Sequence, residues 1–385
     1  MGSCIYLDHN ATTPPSPAVV AAVADALATS FGNPSSIHAA GQQARRQLDD
    51  ARSEVAALIG GDPGETVFTG GGTEADNLAL RGVAEACEGR KRRRIVVSAV
   101  EHEAVLNTAR SLGKRGWPVG IIPVDGQGVV TREALAPLLD DEVALVSVML
   151  ANNETGVVQP VKALAALARE AGALFHTDAV QAVAKMPVDV KALGVDLLSL
   201  AGHKFSGPKG AGALWVRRGT PMASPVTGGR QERGRRAGTE NVPALVGLGV
   251  AARLARESGA AGASRVGALR DRLEAGILER VPRASVNGAG AERVPNTTNI
   301  SFDGLEAESL LIALDLEGIQ VSTGSACSSG TLEPSHVLRA MGLPPGRVQA
   351  SIRFSLGPTN TEEEIDRVLA VLPGVVDRIR RVGRR

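Results

Sequence analysis

Apolar positions along this chain repeat with two periods, and the switches between them outline its elements. Ser16-Pro17 reads as a helix cap and first helical position ahead of AVVAAVADALA, and Ala39 to Ile59 continues as an amphipathic helix stopped by Gly60-Gly61. The pattern then alternates. Short runs rich in β-branched residues (TVF, RIVVSAV, VALVSVML, ALFHTDAV, DLLSL, GALWV) are separated mostly by helical stretches such as TEADNLALRGVAEAC, AVLNTARSLGKRG and VKALAALAREAGA. This βα alternation predicts an α/β fold with a mainly parallel sheet sandwiched by helices, whose ligands gather at the carboxyl ends of the strands. A helical region from Asn241 to about Val281 follows. Beyond it, ASVNG, TTNISFDG and GIQVSTG interleave with the helix EAESLLIALDLEG, which predicts a smaller α+β domain. A last helix opens with a capping box, Thr361 with Glu364. The expected division is residues 16–258 as the large domain, with 1–15 and 259–385 forming the small one.

Length and charge narrow the function classes. At 385 residues the chain exceeds what one hydrophobic core usually serves. Its 42 Lys and Arg nearly balance 41 Asp and Glu, so no global field recruits nucleic acid or membrane. The basic run RKRRR, Arg90 to Arg94, precedes a strand and reads as a solvated turn. Cys4, Cys87 and Cys327 form no CxxC or Cys/His zinc spacing, which suits a reducing compartment and suggests no metal. No uncharged apolar run reaches about 18 residues, and MGSCIYLDHN does not open like a signal peptide, so a soluble cytoplasmic protein is expected.

Several loops carry candidate chemistry. FTGGGTEADN sets glycines after a strand and Thr73 at a helix start, where backbone N–H groups and the helix dipole favour a phosphate; a plain tight turn explains the glycines equally well. Asp178 and Gln181 lie just beyond a buried strand. The carboxylate there is either a helix cap or a partner for a protonated ring nitrogen such as that of pyridoxal phosphate. SLAGHKFSGPKG places His203 and Lys204 at the mouth of the same sheet. A Schiff-base lysine needs desolvation or positive neighbours to be nucleophilic, whereas most lysines are solvated surface charges. STGSACSSG surrounds Cys327 with small residues, an environment that suggests a mobile, exposed thiol rather than a packed one.

Taken in order, YLDHNATT, FGNPSSIHAAG, FTGGGTEADN, SAVEHEAV, NNETGVVQP, HTDAVQA, GHKFSGPKG, GGRQERGRRAGTEN, STGSACSSGTLEPSHVLRAMG and SIRFSLG resemble the NifS/IscS-type cysteine desulfurases of the class V aminotransferase group. The resemblance spans nearly the whole chain. It implies the aspartate-aminotransferase-like fold (PLP fold type I), pyridoxal 5'-phosphate as cofactor, L-cysteine as substrate and a homodimer. Lys204 would hold the cofactor and move the substrate's Cα proton. His102 would stack on the pyridine ring, Asp178 would pair with its nitrogen, and Gln181 and Asn153 would contact its phenolic oxygen. Thr73, His203 and the Gly72 backbone would bind the phosphate, joined by Thr239 of the neighbouring subunit. Arg353 would clamp the substrate carboxylate, with Asn153 and Asn33 at the same subsite. Cys327 would take the sulfur as a persulfide and pass it to acceptors of iron–sulfur cluster assembly or tRNA thiolation. Two positions depart from the pattern. Ala201 stands where many relatives have a phosphate-binding serine, and His9 stands in DHNATT. Selenocysteine lyase, cysteine sulfinate desulfinase and a non-catalytic scaffold remain as alternatives.

Overall fold

The structure is a computed structural model that describes residues 4–324 and 334–382. Its centre is a seven-stranded sheet. In spatial order the strands are Thr66–Thr69, Gly212–Val216, Leu197–Ala201, Leu174–Asp178, Val143–Ser147, Arg94–Ser98 and Val119–Ile122. All run parallel except Gly212–Val216, which is antiparallel to both its neighbours. The inner strands are buried on both faces, in keeping with their mostly apolar sequences. Val119–Ile122 is an edge strand absent from the expected set. Its residues are mostly part-exposed, so it lacks the continuous apolar signal of the others.

Helices cover both faces, and two hydrophobic clusters follow. One packs the helices Pro17–Thr29 and Ala39–Leu58 and the first half of Val242–Arg280 against the sheet. The other lies between the sheet and the helices Gly72–Ala86 and Glu103–Lys114. Several helix ends match the sequence expectation. Ser16 caps Val19, and Thr361 and Glu364 exchange side-chain bonds to each other's backbone N–H groups. RKRRR leads into its strand as a turn, with Lys91 and Arg94 paired to Asp141 and Asp140.

A third cluster joins Ile5 and Leu7 to residues 266–376 around an antiparallel sheet of Ala284–Val286, Thr297–Phe302 and Ser351–Ser355. A two-stranded parallel pair, Ile5–Tyr6 with Ile319–Gln320, adds the chain's start to this unit. The helix Val242–Arg280 serves both units. It is broken at Gly259, whose φ of 47° and ψ of −144° only glycine adopts readily. No helix among the described residues is long and apolar enough to cross a membrane.

Candidate active site

Parallel strands end on one side of the sheet, and the loops there enclose a cavity of about 1190 Å³. Thr69 leads into Gly70-Gly71-Gly72, Ser98 into His102, Ser147 into Asn153, Leu174–Asp178 ends on its carboxylate, and Leu197–Ala201 leads into His203 and Lys204. Gly72, Thr73, His102, Asn153, Asp178, Gln181, His203, Lys204 and Arg353 all line this cavity. Residues separated by up to 281 positions in sequence thus share one space. The topology accounts for most of this: five parallel strands deliver their carboxyl ends to the same edge, while Arg353 comes from the strand Ser351–Ser355 of the smaller antiparallel sheet.

The glycine loop forms a cradle. Gly71, with φ 149° and ψ −177°, caps the helix Gly72–Ala86 without any side-chain bond to the first turn. The first N–H groups are thereby left for an anion, reinforced by the helix dipole. Gly72 must also be bare, because a Cβ there would sit 2.8 Å from the Val180 side chain. Glu74 secures the loop by accepting from the Gly70 N–H at 2.8 Å and from Arg236 at 2.7 Å. Thr73 lies at the cavity, and His203 faces Thr12 through Nδ1 at 3.2 Å. Burial, with Lys204 and Lys209 nearby, pushes His203 down to about 4, so it is neutral at pH 7.

Ala201 also lines the cavity and faces the Gly72 backbone; a Cβ on Gly72 would stand 3.5 Å from that of Ala201. Serine at 201 therefore places a hydroxyl beside the cradle. One hydrogen bond to a phosphate should make Ala201→Ser retain pyridoxal phosphate about tenfold more tightly. Equilibrium dialysis checks this, and an unchanged dissociation constant would place the phosphate out of reach of residue 201.

Lys204 donates to the carbonyls of Asn10 at 2.7 Å and Ala11 at 2.8 Å. Burial, and next the Arg353 guanidinium, lower its pKa to about 8, against the opposing pull of Asp178 and Asp8. This is the desolvated, positively flanked setting that makes a lysine nucleophilic. Below pH 8 the ammonium dominates and above it the free amine. The rate at which apoprotein captures pyridoxal phosphate covalently should rise with a midpoint near 8 and level off above it. A midpoint near the ordinary lysine value of about 10.4 would contradict the assigned environment.

Asp178 is buried and accepts the Val180 N–H at 2.9 Å, which closes a turn; no helix starts there, so the helix-cap alternative is not what the structure shows. Burial raises its pKa, opposed by His102, the Val180 bond and Lys204. No cation lies in ion-pair contact with it among the described residues, so a protonated ring nitrogen in the cavity would supply one. Beneath it lie Asp76 and Glu101, whose carboxyls burial also raises, Glu101 to about 8. His176 lies 3.7 Å from Asp76, bonded to Ser147 and Ser199 at 2.8 and 3.0 Å, and burial holds it neutral with a pKa near 3. His102 caps the helix Glu103–Lys114, its Nδ1 accepting from the Ala104 N–H at 3.1 Å. Burial lowers its pKa, so the neutral ring carries its proton on Nε2.

Arg353 is 4% exposed, and its fork is partly occupied. Nη2 donates to Asp8 Oδ1 at 2.6 Å and Nη1 to the Asn153 carbonyl at 2.9 Å, while Nε is buried without a partner among the described residues. The remaining N–H groups fit a carboxylate. Asp8 was not among the expected site residues, although it stands in the YLDHNATT run.

Asn33 and Thr239 do not line the cavity of their own chain, and Thr239 is expected at the neighbouring subunit's phosphate. Asn33 is exposed, its amide oxygen accepting from the Ser35 N–H, and it does not line the site. Thr239 is exposed and likewise outside the cavity of its own chain. Cys327 lies outside the described residues. His9 is 2% exposed, packed edge-on against Tyr6 and close over Gly357, and it does not line the cavity. The open phosphate cradle, the buried Asp178 and the low-pKa Lys204 together fit pyridoxal phosphate.

Comparison with known proteins bears on the same site. The class-V aminotransferase family model matches residues 5–368. A cysteine desulfurase of Gluconacetobacter diazotrophicus is 50% identical over 383 residues, covering 99% of this chain and 95% of that protein. One of Cereibacter sphaeroides is 52% identical over 378 residues, covering 98% and 96%. Among solved structures, a NifS-like protein matches with a TM-score of 0.91 at 37% identity, covering 97% of this chain and 99% of its own.

Proposed function

We propose, from the premise that the chain belongs to the class-V aminotransferase family and within it to the NifS/IscS-type cysteine desulfurases, that it takes sulfur from L-cysteine and releases L-alanine. Enzymes of this family depend on pyridoxal phosphate. The observation that carries the reading is the meeting of Lys204, Asp178, the open helix start at Gly72-Thr73 and Arg353 in one cavity.

Pyridoxal phosphate, when bound, supplies an electron sink for charge that develops at the substrate's Cα. The chain's own residues do the rest. Gly72, Thr73 and His203 hold the phosphate, Asp178 keeps a proton on the ring nitrogen, and His102 covers the ring. Lys204 anchors the cofactor and then, as a free amine, moves the Cα proton. Arg353 fixes the substrate carboxylate with the planar geometry that lysine lacks. Asp8 and the Asn153 carbonyl hold that guanidinium in place. The Cys327 thiolate attacks the substrate sulfur, an S–S bond forms and the C–S bond breaks. The bonding pair stays with the β-carbon, which a proton converts to the methyl of alanine. The persulfide then passes its outer sulfur to an acceptor of iron–sulfur cluster assembly or tRNA thiolation.

A homodimer belongs to this reading, with Thr239 of each chain completing the partner's phosphate site, and so does a cytoplasmic location. Exposure of Thr239 in the single chain is compatible with this role. Incubating the pyridoxal-phosphate-loaded protein separately with L-cysteine, L-selenocysteine and cysteine sulfinate, and measuring alanine, tests the substrate. L-cysteine should be turned over in the presence of a thiol acceptor, and alanine from cysteine sulfinate alone would refute the assignment.

A further inference from the structure

Beside the cavity a second lysine reaches the groups that surround Lys204. Lys185 lies four residues after Gln181 in the turns that follow Asp178, and its Nζ donates to the Gln181 amide oxygen and, at 2.8 Å, to Asn10 Oδ1. Gln181 Nε2 in turn donates to the Asn10 carbonyl at 2.9 Å, the oxygen that also accepts from Lys204 at 2.7 Å. Asn10 is itself fixed on every side. Its Nδ2 donates to the Asn153 carbonyl and to Thr297, its Oδ1 also accepts from Asn296, and its N–H donates to Ser355.

This network leaves Gln181 one amide orientation. A charged lysine nitrogen can only donate, and a carbonyl can only accept. Turning the amide over would set its NH₂ against the Lys185 donor and its oxygen against the Asn10 carbonyl, losing both bonds. In the observed orientation one N–H is used on Asn10, and the second remains for the cavity that Gln181 lines. A neutral amine still has two hydrogens for its two acceptors, but its lone pair could also accept from the amide NH₂, so in that state the Asn10 carbonyl alone excludes the turned amide. Burial, with Lys204 and Arg353 near, does lower the Lys185 pKa well below that of an ordinary lysine.

We infer that Lys185 is a positioning residue that locks the Gln181 amide with its N–H toward the phenolic oxygen of bound pyridoxal phosphate. The inference rests on the proposed reading that this cofactor binds with that oxygen at Gln181. A donor at the oxygen stabilises its anion and so lowers the pH midpoint of the visible absorbance of the lysine-bound cofactor. Charged groups near Lys185, namely Lys204, Arg353 and His9 when protonated, also influence that midpoint, so the test must separate bond from charge.

A double-mutant cycle on the loaded protein does so. Gln181→Leu should raise the midpoint by roughly one pH unit, the scale of one hydrogen bond to a charged group. Lys185→Met should raise it in the same direction, and in the Gln181→Leu background it should add nothing. Lys185→Arg, which keeps N–H donors at the position, should leave the midpoint close to that of the unsubstituted protein and provides the test if the methionine variant does not fold. Absence of visible absorbance from the unsubstituted loaded protein overturns the cofactor reading and this inference together. An unmoved midpoint in Gln181→Leu overturns the placement of Gln181. A Lys185→Met shift that is absent, or that persists in the Gln181→Leu background, overturns the role of Lys185 alone, as does a Lys185→Arg midpoint equal to that of Gln181→Leu.

Discussion

Lys204→Ala should give a folded protein that binds pyridoxal phosphate reversibly, shows none of the visible absorbance of the lysine-bound cofactor, and forms alanine at least a thousandfold more slowly. Two losses combine: the covalent anchor and the group that moves the Cα proton. General base catalysis by a positioned side chain is worth about 10² to 10⁴ in rate, and loss of the anchor adds to it. Folding should survive, because Lys204 contributes only two bonds to the carbonyls of Asn10 and Ala11, and Asn10 remains held by Ser355, Thr297 and Asn296. Absorbance spectra and alanine assays on the same preparation check both parts. Retention of the visible band would assign the anchor to another lysine, and Lys185 would be the first to examine.

Asp178→Asn should keep the cavity's shape and remove the charge that stabilises a protonated ring nitrogen. The carboxylate is buried, and among the described residues it has no ion-pair partner, so its effect on a ring cation is weakly screened by solvent. The expected loss is about two to three orders of magnitude in kcat, the size associated with removing one preorganised electrostatic contact. KM for L-cysteine should change little, because Arg353 and Asp8 are untouched. The Val180 N–H bond can still be accepted by the amide oxygen, so thermal stability should stay near that of the parent. A variant that loses stability but not kcat would reduce Asp178 to a residue that closes a turn.

Much of this architecture is legible in the sequence. Strands buried on both faces appear as short, mostly apolar runs, and parallel order follows from the helices between them, so the sequence alone puts Asp178, His203 and Lys204 at one sheet edge. Val119–Ile122 escapes that logic, because an edge strand with Ile121 half exposed carries no continuous apolar signal. The break at Gly259 is hidden for a different reason: a glycine inside a helical pattern does not reveal whether its backbone leaves the helix. Asp8, Asn10 and Lys185 are missed because their roles depend on contacts across 175 to 345 residues, such as Lys185 with Asn10 and Asp8 with Arg353, even though Lys185 also meets Gln181 four residues away. Local spacing has no access to such pairs. Asn33 was expected at the substrate subsite from its motif alone, and it instead closes its own turn on the Ser35 N–H.

Ala201 and the neutral His203 give the phosphate cradle fewer side-chain donors than the sequence pattern of relatives suggests. Beside Thr73 and the neutral His203, the cradle offers backbone: the uncapped N–H groups after Gly71, held in shape by Glu74 and Arg236. A site built this way binds through fixed dipoles rather than formal charge.

The central claim is that one chemical cycle moves sulfur from L-cysteine onto Cys327 as Lys204 and Asp178 release alanine. Its most direct test is a single-turnover reaction of the loaded protein with L-cysteine and no reducing thiol, followed by alkylation and mass measurement of the peptide bearing Cys327. One added sulfur on Cys327 and one alanine per active site is the predicted result. Alanine formed in that amount with Cys327 unmodified, or full alanine production by Cys327→Ala under the same conditions, would contradict it.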